Sequence, residues 1–186
     1  MLARSLAGLL TYPAAQELAF STQLAVVSLD LGTLGGVNSV ALSINNIGQI
    51  VGYVTDGSQQ RATLFDPTGA GNSIDLSGLT GGGSRSWAHS INDAGQIVGW
   101  VREIQSNYCA TLFDPTGGGN NIDLNTLIDP NSGWYLRAAY SINNHGWIVG
   151  MGYNPDGKDH AFLLIPEPAT IALLGLGALI LRKKYD

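Results

Sequence analysis

The sequence predicts an all-β protein made of three tandem four-stranded β repeats. A ten-residue pattern, Ser-Ile-Asn-x-x-Gly-x-Ile-Val-Gly, occurs at 43–52, 90–99 and 141–150. The copies start 47 and 51 residues apart, and a period of this length is typical of repeat architectures. Charged residues make up only 12 % of the chain, and 25 of its 186 residues are glycine. This composition favours short strands joined by tight turns over helices.

Each repeat contains four candidate strands that are short and rich in β-branched or aromatic residues. The first strand ends in the Ser-Ile-Asn step, and the second begins at the following Gly-Gln-Ile-Val-Gly or Gly-Trp-Ile-Val-Gly. The third is Ala-Thr-Leu-Phe at 62–65 and 110–113, and Ala-Phe-Leu-Leu at 161–164. The fourth contains Ile-Asp-Leu at 74–76 and 122–124, which Leu-Asp-Leu at 29–31 matches.

The turns between these strands share one chemistry, an Asn or Asp at the first position and a Gly at the fourth. This pattern fits a type I turn followed by a left-handed glycine bulge, so we predict structural hairpin turns. The residues concerned are Asn45, Gly48, Asn92, Gly95, Asn143 and Gly146 between the first and second strands, and Asp66, Gly69, Asp114 and Gly117 between the third and fourth.

The phase of the repeats suggests how the β domain is arranged. Within a domain over 22–165, the repeats run over about 32–78, 79–125 and 126–165, and the last has no fourth strand of its own. We expect strand 24–31 to close the last repeat, which would leave no long open edge. The predicted fold is propeller-like, complete or partial. A three-fold closed β fold and assembly with other chains are alternatives, because propellers usually have about 4–8 blades.

The two ends of the chain differ in composition from the β domain. Residues 1–21 contain one early basic residue, Arg4, and a short apolar run, which indicates a weak signal peptide or an N-terminal extension. At the other end, residues 169–181 carry no charge and predict one C-terminal hydrophobic transmembrane helix. The flanking residues are Pro166, Glu167 and Pro168 before the helix, and Arg182, Lys183 and Lys184 after it. A basic cluster there predicts a stop-transfer signal on the cytoplasmic side of the membrane.

This Pro-Glu-Pro, apolar helix and basic cluster, over 166–186, resembles the PEP-CTERM sorting signal of exported bacterial proteins. The resemblance implies a Gram-negative-type bacterium and recognition by an exosortase-like sorting protease. It implies cleavage near the Pro-Glu-Pro motif and passage through the membrane. It also implies delivery to the cell envelope, and then to the cell surface or the extracellular matrix.

The repeats resemble the HAF family of extracellular repeats. The resemblance rests on Asp-Leu-Gly-Thr-Leu-Gly-Gly at 30–36, the ten-residue pattern at 43–52 and His-Ala-Phe at 160–162. The first two repeats depart from it, with Arg-Ala-Thr at 61–63 and Cys-Ala-Thr at 109–111. The resemblance implies a propeller-like β fold and no defined activity.

Several functional classes lack support in the sequence. The net charge is −5 and no basic stripe precedes the last few residues, so nucleic-acid binding has no electrostatic basis. The single cysteine, Cys109, excludes an intrachain disulfide and a cysteine-based zinc site. His89, His145 and His160 occupy different positions of the repeat, and no Ser/His/Asp grouping is visible. We therefore expect no enzymatic activity, no cofactor and no metal site.

The four tryptophans are the remaining candidates for ligand contact. Exposed indole rings suit sugar rings, whereas buried ones would simply be core. The residues are Trp87, Trp100, Trp134 and Trp147. We expect a non-catalytic structural or adhesive protein of the envelope or extracellular matrix. The alternative is a secreted polysaccharide-binding module whose partner is an exopolysaccharide.

Overall fold

The computed structural model describes residues 27–78, 85–102 and 107–166, and these are almost entirely β. The first repeat contributes β1 (Asn38–Ile44), β2 (Ile50–Asp56), β3 (Gln59–Phe65) and β4 (Ile74–Asp75). The second contributes β5 (Arg85–Ile91), β6 (Ile97–Arg102), β7 (Cys109–Phe113), β8 (Ile122–Asp123) and a 3-10 helix (Leu124–Leu127). The third contributes β9 (Tyr135–Ile142), β10 (Ile148–Tyr153) and β11 (Asp159–Leu164).

Each repeat is an antiparallel meander, and the described strands form two sheets. A single parallel pair, Gln60 with Arg85, joins β3 to β5 and links the first two repeats into one sheet. The third repeat forms a separate three-stranded sheet. These sheets close into neither a barrel nor a propeller, so the predicted closed array is not present in this part of the chain.

The predicted role of strand 24–31 in closing the last repeat is wrong for the residues that the structure describes. Residues 27–31 form no strand. They lie against the first repeat, where a Cβ added to Gly69 would come within 2.8 Å of the Asp30 carbonyl oxygen and 3.3 Å of the Leu29 side chain. β4 lies in the same way against Gly117 of the second repeat, where an added Cβ would come within 2.8 Å of the Asp75 carbonyl oxygen. Residues 29–30 therefore occupy a fourth-strand position in front of the first repeat.

The hairpin between the first two strands explains the recurring Asn and Gly. In the first repeat the amide of Gly48 donates to the Asn45 carbonyl, and the amide of Asn45 donates to the Gln49 carbonyl, both at 3.1 Å. Gly48 has a φ of 82°, a left-handed conformation that a side chain would strain. The side-chain oxygen of Asn45 also accepts from the Gln49 amide at 2.8 Å. The same backbone bonds recur at 92–96 and 143–147.

The hydrophobic core lies between repeats rather than within them. The face of each repeat that carries Val51, Val98 or Val149 is called the leading face here. The face that carries Ile44, Ile91 or Ile142 is called the trailing face. One buried cluster joins the leading face of the first repeat to the trailing face of the second, and another joins the second repeat to the third. Each repeat is therefore stabilised by its neighbours, as in other repeat proteins.

A line of side-chain hydrogen bonds crosses the same two interfaces. The Nδ2 of Asn45 donates to the Asn92 carbonyl, and the Nδ2 of Asn92 donates to the Asn143 carbonyl, both at 3.0 Å. We call these three residues the Asn ladder. Beside it, Ser43 Oγ accepts from the Ile91 amide at 3.3 Å, and Ser90 Oγ accepts from the Ile142 amide at 3.2 Å. The two interfaces thus use the same contacts, because the same residues recur at the same positions.

Candidate functional site

The sorting motif predicted at 166–168 begins directly after the last strand. β11 ends at Leu164, and Pro166 is exposed beside the hairpin turn of the third repeat, 3.4 Å from a Cβ placed on Gly146. Glu167, Pro168 and the basic cluster at 182–184 lie outside the described residues, as does the predicted helix 169–181. Across the described ranges, no helix has the length and apolar character needed to cross a membrane.

Two of the four tryptophans lie together in a row of aromatic rings. Trp87 on β5 and Trp100 on β6 are register partners, with ring centroids 5.5 Å apart. Tyr53 of the first repeat stacks on Trp87 at 4.2 Å and 7°, and Tyr108 meets Trp100 edge-on at 4.9 Å. We call these four residues the aromatic row. It crosses the interface between the first two repeats, because Tyr53 and Trp100 occupy the same position after the Gly-Gln-Ile-Val-Gly pattern.

His89 is part of the support for this row. Its Nε2 accepts from the Trp100 indole nitrogen at 3.1 Å, and Tyr140 of the third repeat packs edge-on to its ring at 5.3 Å. Burial lowers the pKa of His89, which keeps the imidazole neutral and able to accept. In the described part of the chain, no carboxylate is hydrogen-bonded to His89. The imidazole therefore holds the indole ring of Trp100 in place.

A shallow cleft opens beside the aromatic row, between the second and third repeats. Its volume is about 160 Å³ and its lining residues are Trp100, Tyr108, Arg137, Ala138, Tyr140 and Met151. The guanidinium of Arg137 lies 5.8 Å from the Tyr108 ring centroid and is held by Asp159 at 2.8 Å. Pockets for compact small molecules are usually about 300–1,000 Å³, so this cleft is smaller than a typical small-molecule site.

The other two tryptophans are not part of this row. Trp134 is partly buried and packs against the core between the second and third repeats. Trp147 lies in the hairpin turn of the third repeat, 43 % exposed, with the His145 ring 6.1 Å away. Sequence reasoning did not identify Tyr108, Arg137 and Tyr140 as neighbours of the row. The available signal was repeat register, since Tyr140 occupies the position of His89 one repeat later.

The acidic turn residues are held by hydrogen bonds within their own turns. Asp114 Oδ1 accepts from the Thr116 hydroxyl at 2.6 Å and from its amide at 2.9 Å, and these bonds lower the pKa of Asp114 to about 2. Thr68 lowers the pKa of Asp66 through the same two bonds. Among the described residues, no three His, Cys, Asp or Glu side chains gather into a metal-binding group. These carboxylates therefore have a structural use in the turns.

We expect the thermal unfolding midpoint to fall in acid. A carboxylate whose pKa is lower in the folded state than in the unfolded chain stabilises the fold fully above its unfolded value, about 3.9. That contribution is lost as the pH falls through the folded pKa, which for Asp114 means between about pH 4 and about pH 2. Calorimetry from about pH 6 down to about pH 2 measures it. Asp114→Asn should flatten the fall, whereas Asp156→Asn, at a residue whose carboxylate makes no hydrogen bond in the described ranges, should not.

The β repeats are followed by a tail that matches a C-terminal sorting signal. Residues 164–184 match the PEP-CTERM protein-sorting motif, which indicates exosortase-dependent export to the cell envelope. The chain matches no curated protein and no solved structure. The match covers the tail alone, so the HAF-like character of the β repeats stays a prediction.

Proposed function

We propose that the chain is a non-catalytic structural or adhesive protein of the envelope or extracellular matrix of a Gram-negative-type bacterium. Exosortase-like machinery would recognise it at Pro166-Glu167-Pro168 and release the β repeats from the membrane helix at 169–181. The observation that carries this proposal is the sorting motif at 164–184, which overlaps the end of β11. A rigid β array joined directly to such a signal is suited to presentation outside the cell.

The chemistry of the described residues supports a structural role. The acids Asp66 and Asp114 are engaged in turns, and His89 supports a tryptophan. The buried polar side chains of Asn92 and Ser90 join one repeat to the next. The clearest features of this sequence are therefore the contacts that stack the repeats and the motif for export.

Export by cleavage predicts a specific mass for the mature protein. In a bacterium that has an exosortase, intact-mass analysis of the surface fraction should show a species without residues 169–186. Replacing Pro166, Glu167 and Pro168 together by alanine should leave those residues attached and retain the protein in the membrane fraction. Lys158→Ala, outside the tail, is the control and should be processed normally. A wild-type surface species that keeps residues 169–186 would contradict processing by cleavage.

The aromatic row favours a second candidate function, binding of an extended polysaccharide. Sugar rings present C–H faces that pack on indole and phenol rings, and polar groups beside them select the ligand. Tyr140 and Arg137 would provide such groups in the cleft beside Trp100. This function belongs to a different class from the structural role, because it requires a saturable site.

Polysaccharide binding at the cleft can be tested with one pair of variants at residues of similar exposure. Tyr140 is 45 % exposed at the cleft and Trp147 is 43 % exposed away from it. If the cleft binds polysaccharide, Tyr140→Ala should weaken binding about tenfold, corresponding to about 1.4 kcal/mol, and Trp147→Ala should leave it unchanged. Isothermal titration of the full chain in detergent with purified exopolysaccharide measures this. If the wild-type chain shows no saturable binding, the polysaccharide-binding function is wrong and the structural role is the remaining proposal.

A further inference from the structure

Each end of the described repeat array has an apolar face on which no further repeat packs. On the leading face, Val51 and Val98 are 0 % exposed because the next repeat covers them. Their counterpart in the third repeat, Val149, is 43 % exposed, and Leu163 on the neighbouring strand β11 is 51 % exposed. The third repeat thus presents an uncovered leading face.

The first repeat presents the complementary face. On the trailing face, Ile91 is 5 % exposed and Ile142 is 6 % exposed, each covered by the preceding repeat. Ile44, at the same position of the first repeat, is 65 % exposed, although Val54 and Phe65 on the same face are buried. Inside the chain, a leading face always meets a trailing face. The exposed parts of the two end faces are therefore of opposite kinds, and they match in residue type the pairs that are already buried.

The polar contacts end in the same complementary way. Asn143 terminates the Asn ladder, and no group in the described part of the chain accepts from its Nδ2. At the other end, the Asn45 carbonyl is the counterpart of the two carbonyls that accept within the ladder. Ser141 is exposed in the position from which Ser43 and Ser90 accept an amide, and the Ile44 amide is the matching donor.

Residues 29–30 make only half of the contacts of a fourth strand. β4 pairs with β3, as Leu64 with Ile74, and also lies against the turn of the following repeat at Gly117. Leu29 and Asp30 make the second contact, at Gly69, and form no strand pair. β11 has the opposite deficiency, because within the described residues it pairs with β10 alone. At one end of the array, the third strand β11 has no fourth strand beside it. At the other end, residues 29–30 occupy a fourth-strand position without a third strand to pair with.

We propose that a second copy of this chain stacks on the first, with the trailing face of its first repeat on the leading face of the other's third repeat. The new interface would reproduce the contacts between repeats inside the chain. Ile44 would pack on Val149, Asn143 Nδ2 would donate to the Asn45 carbonyl, and residues 29–31 would line the free edge of β11. The occupant is a second copy because β1–β3 and β9–β11 lie in different sheets and do not pair within one chain.

The contact is head-to-tail, so each copy uses two different surfaces. Contacts of this type form a closed ring when the rotation between copies closes, and a filament when it does not. A ring gives one discrete mass, whereas a filament gives a series of masses that increases with protein concentration. Either result would be self-association through these two faces. This inference does not depend on the proposed function, since it uses only contacts within the β repeats.

The test uses sedimentation of the full chain in detergent at about 100 μM, compared with a charged substitution on each face. Ile44→Glu and Leu163→Glu should each convert the assembly to monomer, because a carboxylate buried against apolar side chains raises the dissociation constant more than about 100-fold. Leu127 is 63 % exposed on the 3-10 helix of the second repeat, which carries neither of the two end faces. Leu127→Glu is therefore the matched control and should assemble as the wild type does. Circular dichroism checks that all three variants are folded.

Mixing the two monomeric variants distinguishes head-to-tail stacking from other contacts. Each variant keeps one intact face, so an equimolar mixture of Ile44→Glu and Leu163→Glu should form a dimer and nothing larger. A mixture that stays monomeric would overturn the proposal. So would assemblies of unchanged size in both variants, which would assign association to the apolar tail. A monomeric wild-type chain would overturn it too.

Discussion

Gly99→Ala is expected to destabilise the protein strongly, because the added methyl group would overlap backbone. Gly99 ends the Gly-Gln-Ile-Val-Gly pattern opposite the irregular pairing at Ala88 and Ser90. A Cβ there would overlap the carbonyl oxygen of Trp87 and come within 3.0 Å of the Phe113 ring. The overlap is with backbone, so a side-chain rotation cannot relieve it. We expect a loss of roughly 3 kcal/mol or more, against about 5–15 kcal/mol for a whole domain.

The control for this prediction is another glycine replaced by alanine. Gly157 has a φ of 74° and nothing within 4 Å of an added Cβ. Gly157→Ala should cost only the left-handed strain, about 1–2 kcal/mol. Urea unfolding of both variants followed by circular dichroism measures the difference. Equal losses at the two sites would show that close approach of the strands does not explain Gly99.

Asn92→Ala has the second largest expected effect, because it removes the middle of the Asn ladder. Asn92 is 3 % exposed, and its Nδ2 donates to Gln96 Oε1 at 2.7 Å and to the Asn143 carbonyl at 3.0 Å. Its Oδ1 accepts from the Gln96 amide at 3.0 Å. Alanine would remove these three hydrogen bonds at a buried position. We expect a loss of about 2–4 kcal/mol in the free energy of unfolding.

Asn143→Ala is the matched control, since it alters the same turn at the end of the ladder. Asn143 is exposed and accepts from the amides of His145 and Trp147 within its own hairpin. Its loss should cost about 1 kcal/mol, the usual value of a single turn or cap. Both free energies are measured by urea unfolding at concentrations low enough for the chain to be monomeric. A loss at Asn143 as large as that at Asn92 would contradict a contribution from the contact between repeats.

Local structure could be predicted from this sequence because its signals are local. An Asn followed three residues later by Gly favours a tight hairpin turn, and Asn45 to Gly48 forms that turn in the structure. The third strand was predicted for the same reason, since Ala62 to Phe65 is bounded by turn residues and lies in β3. Repetition then extended both predictions to the other repeats.

Closure of the array and the neighbours of Trp87 could not be predicted in this way. Closure depends on the angle between successive repeats, which large and small side chains at the interface determine together. The pattern at 29–31 matches the fourth strands in sequence, but these residues form no strand in the structure, and their partner depends on that angle. Tyr108 and Tyr140 approach the aromatic row across different strands, so only the register of β6 on β7 and the packing of β9 place them there.

The Asn ladder also bears on how a chain of this kind could change in length. Each hydrogen bond of the Asn ladder joins an Asn of one repeat to the equivalent Asn of the next. The contacts at the start of a repeat are therefore of the same kind as the contacts at its end. An in-frame duplication of one period, such as the 47 residues from Ser43 to His89, would place a new Asn between two existing ones with no other substitution needed. Deletion of one period would rejoin the ladder in the same way. Genes encoding such arrays should therefore tolerate gain and loss of whole units far better than insertions of any other length.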